Sequence, residues 1–230
     1  MPRTIPRPIL EASYERSADL YMYGLDPEKQ MEPVPQSVFK FILLAAFRVM
    51  ALRRPEIQAF AELLIQYDHG KPPRRRGVVP DVFIVRHAAP IEAVRSYNLP
   101  MQPARPFLVA ESVSKSSERK DHETSFDKYE QELKVPYLLY HYPDNEEMTL
   151  FRLRKGKYAS VKPNRAGRVS VPELEMEFGF HAGQLRVWFQ GEMMPLPEEM
   201  HARIESGRAE LSRLEEENER LRAEVARLKG

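Results

Sequence analysis

Hydrophobic and polar positions divide the 230-residue chain into three stretches of different texture. Residues 1–33 are rich in proline and charge and show little periodicity, which predicts an irregular segment over the domain surface. From Pro35 an apolar run begins, interrupted by Lys40 and Arg48 and closed by Arg53, Arg54 and Pro55; a helix is expected there, with proline in its first turn. The run Val38–Leu52 falls short of the ~20 apolar residues a bilayer-spanning helix needs, so it reads as a buried helix.

Beyond it, Ile57, Ala59, Ala61, Leu63, Ile65 and Tyr67 alternate with Gln58, Glu62 and Gln66, the period of a half-buried strand. Ile57, Phe60, Ala61 and Leu64 also satisfy helical spacing. The charged turn His69–Gly77 would join this segment in a hairpin to Asp81–Arg86 (DVFIVR), a short apolar run of buried-strand type. After a proline-punctuated loop, Ala88–Pro106, the run Phe107–Val113 (FLVAESV) predicts a central strand with Glu111 near its end. A polar stretch, Ser114–Thr124, leads to Phe126, Tyr129 and Leu133 at helical spacing, and Tyr137–Tyr142 forms another strand. Further strands are expected at Met148–Leu153, Tyr158–Val161, Leu174–Phe180 and Leu185–Gln190, with Gly167 and Gly183 in turns.

Pro195 and Pro197 mark a linker, after which the composition shifts to Glu, Arg and Leu at 3.5-residue spacing. The expected organisation is therefore an irregular segment 1–33, an α/β domain 34–195 and a coiled-coil helix 197–230. With Asn218 at heptad position a, Ile204, Leu211 and Val225 also fall at a, and Met200, Leu214, Leu221 and Leu228 at d. Gly207 falls at d, so the strong seam starts near Leu211. A buried Asn at one a position favours a parallel, in-register dimer. In that arrangement Glu217 faces Arg222 of a partner and Glu224 faces Lys229, whereas Glu210 against Glu215 and Arg203 against Arg208 repel. The seam, over residues 200–228, suits a second copy of the chain or another protein's coil, with a solvated helical tail as the alternative. No basic region precedes it, so it is not a zipper of the DNA-gripping kind.

Composition narrows the chemistry. Hydrophobic residues make up 42 % of the chain, enough to fill one core. The absence of cysteine excludes disulfides, thiolate zinc sites and cysteine nucleophiles, and fits a reducing compartment such as the cytoplasm. Arg3 and Arg7 stand among prolines 2, 6 and 8, where a secretion signal would need an apolar run. A net charge of +1 means that any grip on nucleic acid comes from local patches, for which Lys71, Arg74, Arg75 and Arg76, or Arg152, Arg154, Lys155 and Lys157, are candidates; solvated loop charges are the alternative. The six histidines show no zinc-ligand spacing, although His141 could border a site at the end of its strand, and no Walker loop, GxGxxG or GxSxG is present. Trp188 and Phe189 alternate with Val187 as core residues rather than base-stacking groups.

Two carboxylates remain. Asp81 opens the strand DVFIVR directly after Pro80, and Glu111 interrupts an apolar strand where a charge is costly unless paired or metal-bound. Two acids converging from adjacent strands suit Mg²⁺ and phosphodiester hydrolysis. Asp81 could equally be a turn residue, and Glu111 could pair with Lys115 or Arg119.

Three stretches, VVPDVFIV at Val78–Val85, ESVSKSS at Glu111–Ser117 and FDKYEQELKVPYLLY at Phe126–Tyr140, follow in this order. With their flanking elements, from about Glu32 to about Pro195, they resemble the Uma-type putative restriction endonuclease family of the PD-(D/E)XK nuclease superfamily. The resemblance implies a restriction-endonuclease-like mixed β-sheet flanked by helices, with Asp81 and Glu111 binding Mg²⁺ or Mn²⁺, and metal-assisted cleavage of DNA. It also implies a lysine two residues beyond the Glu, where this chain has Val113, or on the following helix four residues after Asp121, where it has Ser125. Lys128, one turn further along, is the nominee for that role, with a solvated helix lysine as the alternative. Glu32 stands where such proteins often carry an accessory acid; a helix-start carboxylate is the alternative. The competing function is a noncatalytic interaction protein on a nuclease-like fold, acting through its coil.

Overall fold

The computed structural model describes residues 7–23, 34–113 and 120–229. In chain order these form helix α1 (Arg7–Tyr23), helix α2 (Val34–Arg53) and strands β1 (Ile57–Ala61), β2 (Leu64–His69), β3 (Arg74–Val78), β4 (Val82–Arg86), β5 (Ser96–Asn98) and β6 (Pro106–Ser112). Helix α3 (Lys120–Asp127) runs into a π-helical turn, Lys128–Leu133. Then come β7 (Tyr137–Tyr142), β8 (Glu147–Arg154), β9 (Lys157–Ser160), β10 (Val169–Val171), β11 (Met176–His181), β12 (Gln184–Phe189), β13 (Glu192–Met193) and helix α4 (Pro197–Lys229). The chain divides into two compact units, Met1–Met194 and Pro195–Gly230.

The first unit is built on a mixed six-stranded sheet in the order β1-β4-β6-β7-β8-β9, in which only β6 and β7 run parallel. Both faces are covered, which is why β4, β6 and β7 are near-continuous apolar runs rather than alternating ones. Val82 and Ile84, Leu108 and Ala110, and Tyr137 and Leu139 point to a core shared with α2 and the sheet β10-β11-β12-β13. The alternate residues Phe83, Val85, Val109, Leu138 and Tyr140 point to a second core with Tyr129, Leu133 and the three-stranded sheet β3-β2-β5. Helix α2 meets the first core through Phe39, Leu43, Ala46, Phe47 and Met50, one face of a 3.6-residue period.

Four expectations need correcting. Residues 7–23 form α1 rather than an irregular segment; its Tyr14 is fully buried and donates a hydrogen bond to Asp68 on β2 (3.2 Å). The segment Ile57–Tyr67 is two strands, neither one strand nor a helix, because Glu62 takes a left-handed conformation (φ 50°) that ends β1. The hairpin across the His69–Gly77 turn joins β2 to β3, while β4 pairs with β1. The loop before β6 contains β5, which adds in parallel to β2.

Among the described residues no helix is long and apolar enough to cross a membrane.

Candidate active site

The β4–β6 register pairs Val82 with Ala110, which sets Asp81 opposite Glu111 at the same end of the sheet. Side chains alternate along a strand, so both acids project on the side of Phe83 and Val109, toward α3. Backbone and side chain lock them together. The Asp81 amide donates to Glu111 Oε2 (3.1 Å), and the Ser112 amide donates to Asp81 Oδ2 (2.7 Å). From the π turn, the Tyr129 hydroxyl donates to Glu111 Oε1 (2.5 Å).

Burial, and then the negative charge of Asp81, push the Glu111 carboxyl up to about 8; the Tyr129 hydroxyl, the Asp81 amide and the charge of Lys40 pull the other way. Burial and the Glu111 charge push the Tyr129 hydroxyl well above its ordinary range, so it remains a donor. Tyr140, paired with Glu111 across the parallel β6–β7 ladder, is raised by the same two causes.

Lys40 reaches this end of the sheet from α2. It is only 7 % exposed, and its amine bonds Glu62 Oε1 at 2.5 Å. The Glu62 amide in turn donates to the Asp81 carbonyl (3.2 Å). The sequence carried a signal for this residue: a lysine inside the apolar run Val38–Leu52, beside Phe39 on the buried face. Tyr129 was legible only as a core position.

The other nominees make different contacts. The Lys128 amine donates to the Gly77 carbonyl on β3 (3.0 Å). Val113 packs against the second core, and its amide donates to the His141 carbonyl (2.7 Å). Ser125 is half-buried on α3. Glu32, Lys115 and Arg119 lie outside the described residues, as does the side chain of Asp121. His141 does not border the acids: it points to the opposite face of β7 and stacks on Phe39 (5.0 Å between centroids, 5° between planes), where burial pushes its imidazole down to about 4.

The first basic run is partly committed to structure, with Arg75 over the Tyr14 ring (3.4 Å) and paired with Asp68, and Arg76 paired with Glu132 (3.6 Å). In the second, Arg152 pairs with Glu173 and Lys157 with Glu130. Phe189 is buried, while the half-buried Trp188 ring lies under the Arg168 guanidinium (4.9 Å). Among the described residues, no three His, Cys, Asp or Glu side chains group so as to hold a metal ion.

Comparison with known proteins gives the context for this arrangement. No curated protein matches the chain. Among solved structures, it is similar to a putative nuclease belonging to DUF820 from Anabaena variabilis, at 15 % identity and a TM-score of 0.46, over 62 % of this chain and 75 % of that one. The model of the Uma2 family, putative restriction endonucleases, matches residues 29–187, a span that takes in Asp81, Glu111 and every strand from β1 through β11. The chain belongs to that family.

Proposed function

We propose that this protein is a metal-dependent endonuclease that hydrolyses DNA phosphodiester bonds, with Asp81 and Glu111 holding Mg²⁺ or Mn²⁺. The observation that carries this reading is the opposed pair itself: two half-buried carboxyls hydrogen-bonded together at one end of a sheet, one of them pushed up to about 8. Such a pair is unfavourable for the metal-free fold and is relieved by a divalent cation. The donor set fits Mg²⁺, which takes one or two carboxylates and completes its shell with waters and substrate phosphate, so a third protein carboxylate is not required. When bound, the ion supplies positive charge that polarises the phosphodiester and acidifies water.

The chain's own groups do the rest. The Ser112 amide fixes Asp81 through Oδ2, and the Tyr129 hydroxyl and the Asp81 amide fix Glu111 through Oε1 and Oε2, so neither carboxyl has to be ordered when substrate arrives. Lys40 takes the place of the cation that Val113 cannot supply. Its ion pair is lopsided, a lysine side chain 9 % exposed against a glutamate 64 % exposed. Glu62 can therefore swing into water and open one side of the amine to a phosphate oxygen. Lys128, the other nominee, would first have to give up the Gly77 carbonyl.

That hydrogen bond and Val113 favour the second reading, a noncatalytic protein on a nuclease fold. Titrating the protein and its Asp81→Asn and Glu111→Gln variants with Mn²⁺ by calorimetry, beside nicking of supercoiled DNA, separates the two. Metal uptake and nicking by the unaltered protein alone are expected. No heat of binding and equal background nicking by all three would refute the enzyme.

A further inference from the structure

The second compact unit consists of one uninterrupted helix, α4, 33 residues long, and Gly207 does not break it. Its heptad stripe lies in water: Leu211, Leu214, Leu221, Val225 and Leu228 are 49–81 % exposed. An aligned apolar stripe on a formed helix is a ready seam, because its burial needs no further backbone ordering. We propose that its occupant is the same stripe of a second copy, joined as a parallel, in-register two-stranded coil from about Leu211 onward, so that the nuclease units work as a pair.

Three features select a second copy. Asn218 stands alone among apolar a and d positions. In a parallel in-register pair the two amides meet and bond each other, whereas a shifted or antiparallel pairing buries each against an aliphatic side chain. The flanking charges agree, with Glu217 facing Arg222 and Glu224 facing Lys229 across the seam. The two repelling pairs are softened within each helix, where Glu210 is paired with Arg213 (3.4 Å) and Arg208 with Glu205 (3.0 Å). One member of each like-charge pair thus already carries a counter-ion, and the attractive pairs lie where the seam is best. About two and a half heptads make a weak coil, so the dimer should form and dissociate with concentration.

The cysteine-free chain makes the test clean. In the full protein, Leu214→Cys places thiols at facing d positions, within disulfide range only if the coil is parallel and in register. Under a glutathione redox buffer, Leu214→Cys should give mostly covalent dimer on a non-reducing gel, and the outward-facing Ala223→Cys several-fold less. A mixture of Leu214→Cys and Val225→Cys chains that cross-links better than Leu214→Cys alone would mean an antiparallel pair and overturn the proposal. Sedimentation of the unaltered chain should show a dimer that Leu221→Glu converts to monomer. A monomer in both cases, or a dimer that survives Leu221→Glu, would also overturn it.

Discussion

Replacing Glu111 by Gln should stabilise the metal-free protein, and the gain should depend on pH in a way that follows from the site. In the folded chain the Glu111 carboxyl titrates at about 8, against 4.5 for the ordinary group. The folded state therefore keeps a proton that the unfolded state releases, and stability falls as pH rises from 4.5 to 8, then levels off. The accumulated penalty at pH 8 is on the order of a few kcal/mol. Glutamine keeps the shape and loses the titration: its carbonyl can accept from the Asp81 amide while its NH₂ donates to the Tyr129 oxygen. Urea denaturation of both proteins in EDTA at pH 5, 6.5, 8 and 9 reads the difference directly. The curves should diverge between pH 5 and 8 and run parallel above. Saturating Mn²⁺ should close the gap by stabilising only the unaltered protein. A constant offset across the whole range would refute the buried-carboxyl reasoning, whatever its size.

Other substitutions separate the cations and the two faces of the sheet. Lys40→Met should lower nicking at least 10-fold, the scale on which single electrostatic groups act, while Mn²⁺ still binds; Lys40→Arg should recover part of the loss, and Glu62→Gln should cleave normally. Full activity of Lys40→Met would remove that residue from the reaction. Lys128→Met should lose less than Lys40→Met in the same nicking assay, because its amine is occupied by Gly77; the reverse order would restore Lys128 as the site's cation. His141→Phe should flatten the acid limb of the stability curve. The buried imidazole resists protonation down to about 4, so its own contribution to stability is full above pH 6.5 and declines by about 1.4 kcal/mol per unit as pH falls toward 4, opposite in sign to that of Glu111. Denaturation at pH 4.5, 5.5 and 7 checks the slope, and identical slopes would contradict it.

How much of this could be read in the sequence depended on how local the deciding physics was. Helix α2 was legible because Phe39, Leu43, Ala46, Phe47 and Met50 repeat at the period of the structure that buries them. Strands β4, β6 and β7 were legible as apolar runs of strand length. Helix α1 was hidden by its prolines: Pro2, Pro6 and Pro8 look like disorder, yet Pro8 falls in the first helical turn, where no amide partner is needed. The break between β1 and β2 rests on a left-handed Glu62, a conformation its residue type does not announce. Pairing was the least legible feature, since only long-range packing brings β4 back against β1 and sends β3 to β2. The acids showed the same division. Glu111 stood out as a charge in an apolar strand, but its alignment with Asp81 is set by the β4–β6 register.

In the proposed site the positive charge comes from a helix that a motif read along the strand does not reach. A lysine two residues beyond Glu111 would stand on the same strand face and point the same way. In this chain that position is Val113, which contributes to the second core instead. What the chemistry asks for is a cation at one end of the sheet, and the elements reaching that end include the N-terminal half of α2. Lys40 lies there, buried, tied to Glu62, whose own backbone is bonded to Asp81. Desolvating a lysine amine is costly, and a second carboxylate-rich partner lowers that cost only if the amine senses it. It does: the charge of Lys40 registers on Glu111, pulling its carboxyl down against burial. On the proposed reading Val113 supplies an apolar contact at the strand position and Lys40 supplies the charge from the helix. The double variant Lys40→Met, Val113→Lys tests that logic. If the two positions supply the same function, it should regain nicking lost in Lys40→Met, whereas no recovery in a folded protein would show that the helix lysine does something a strand lysine cannot.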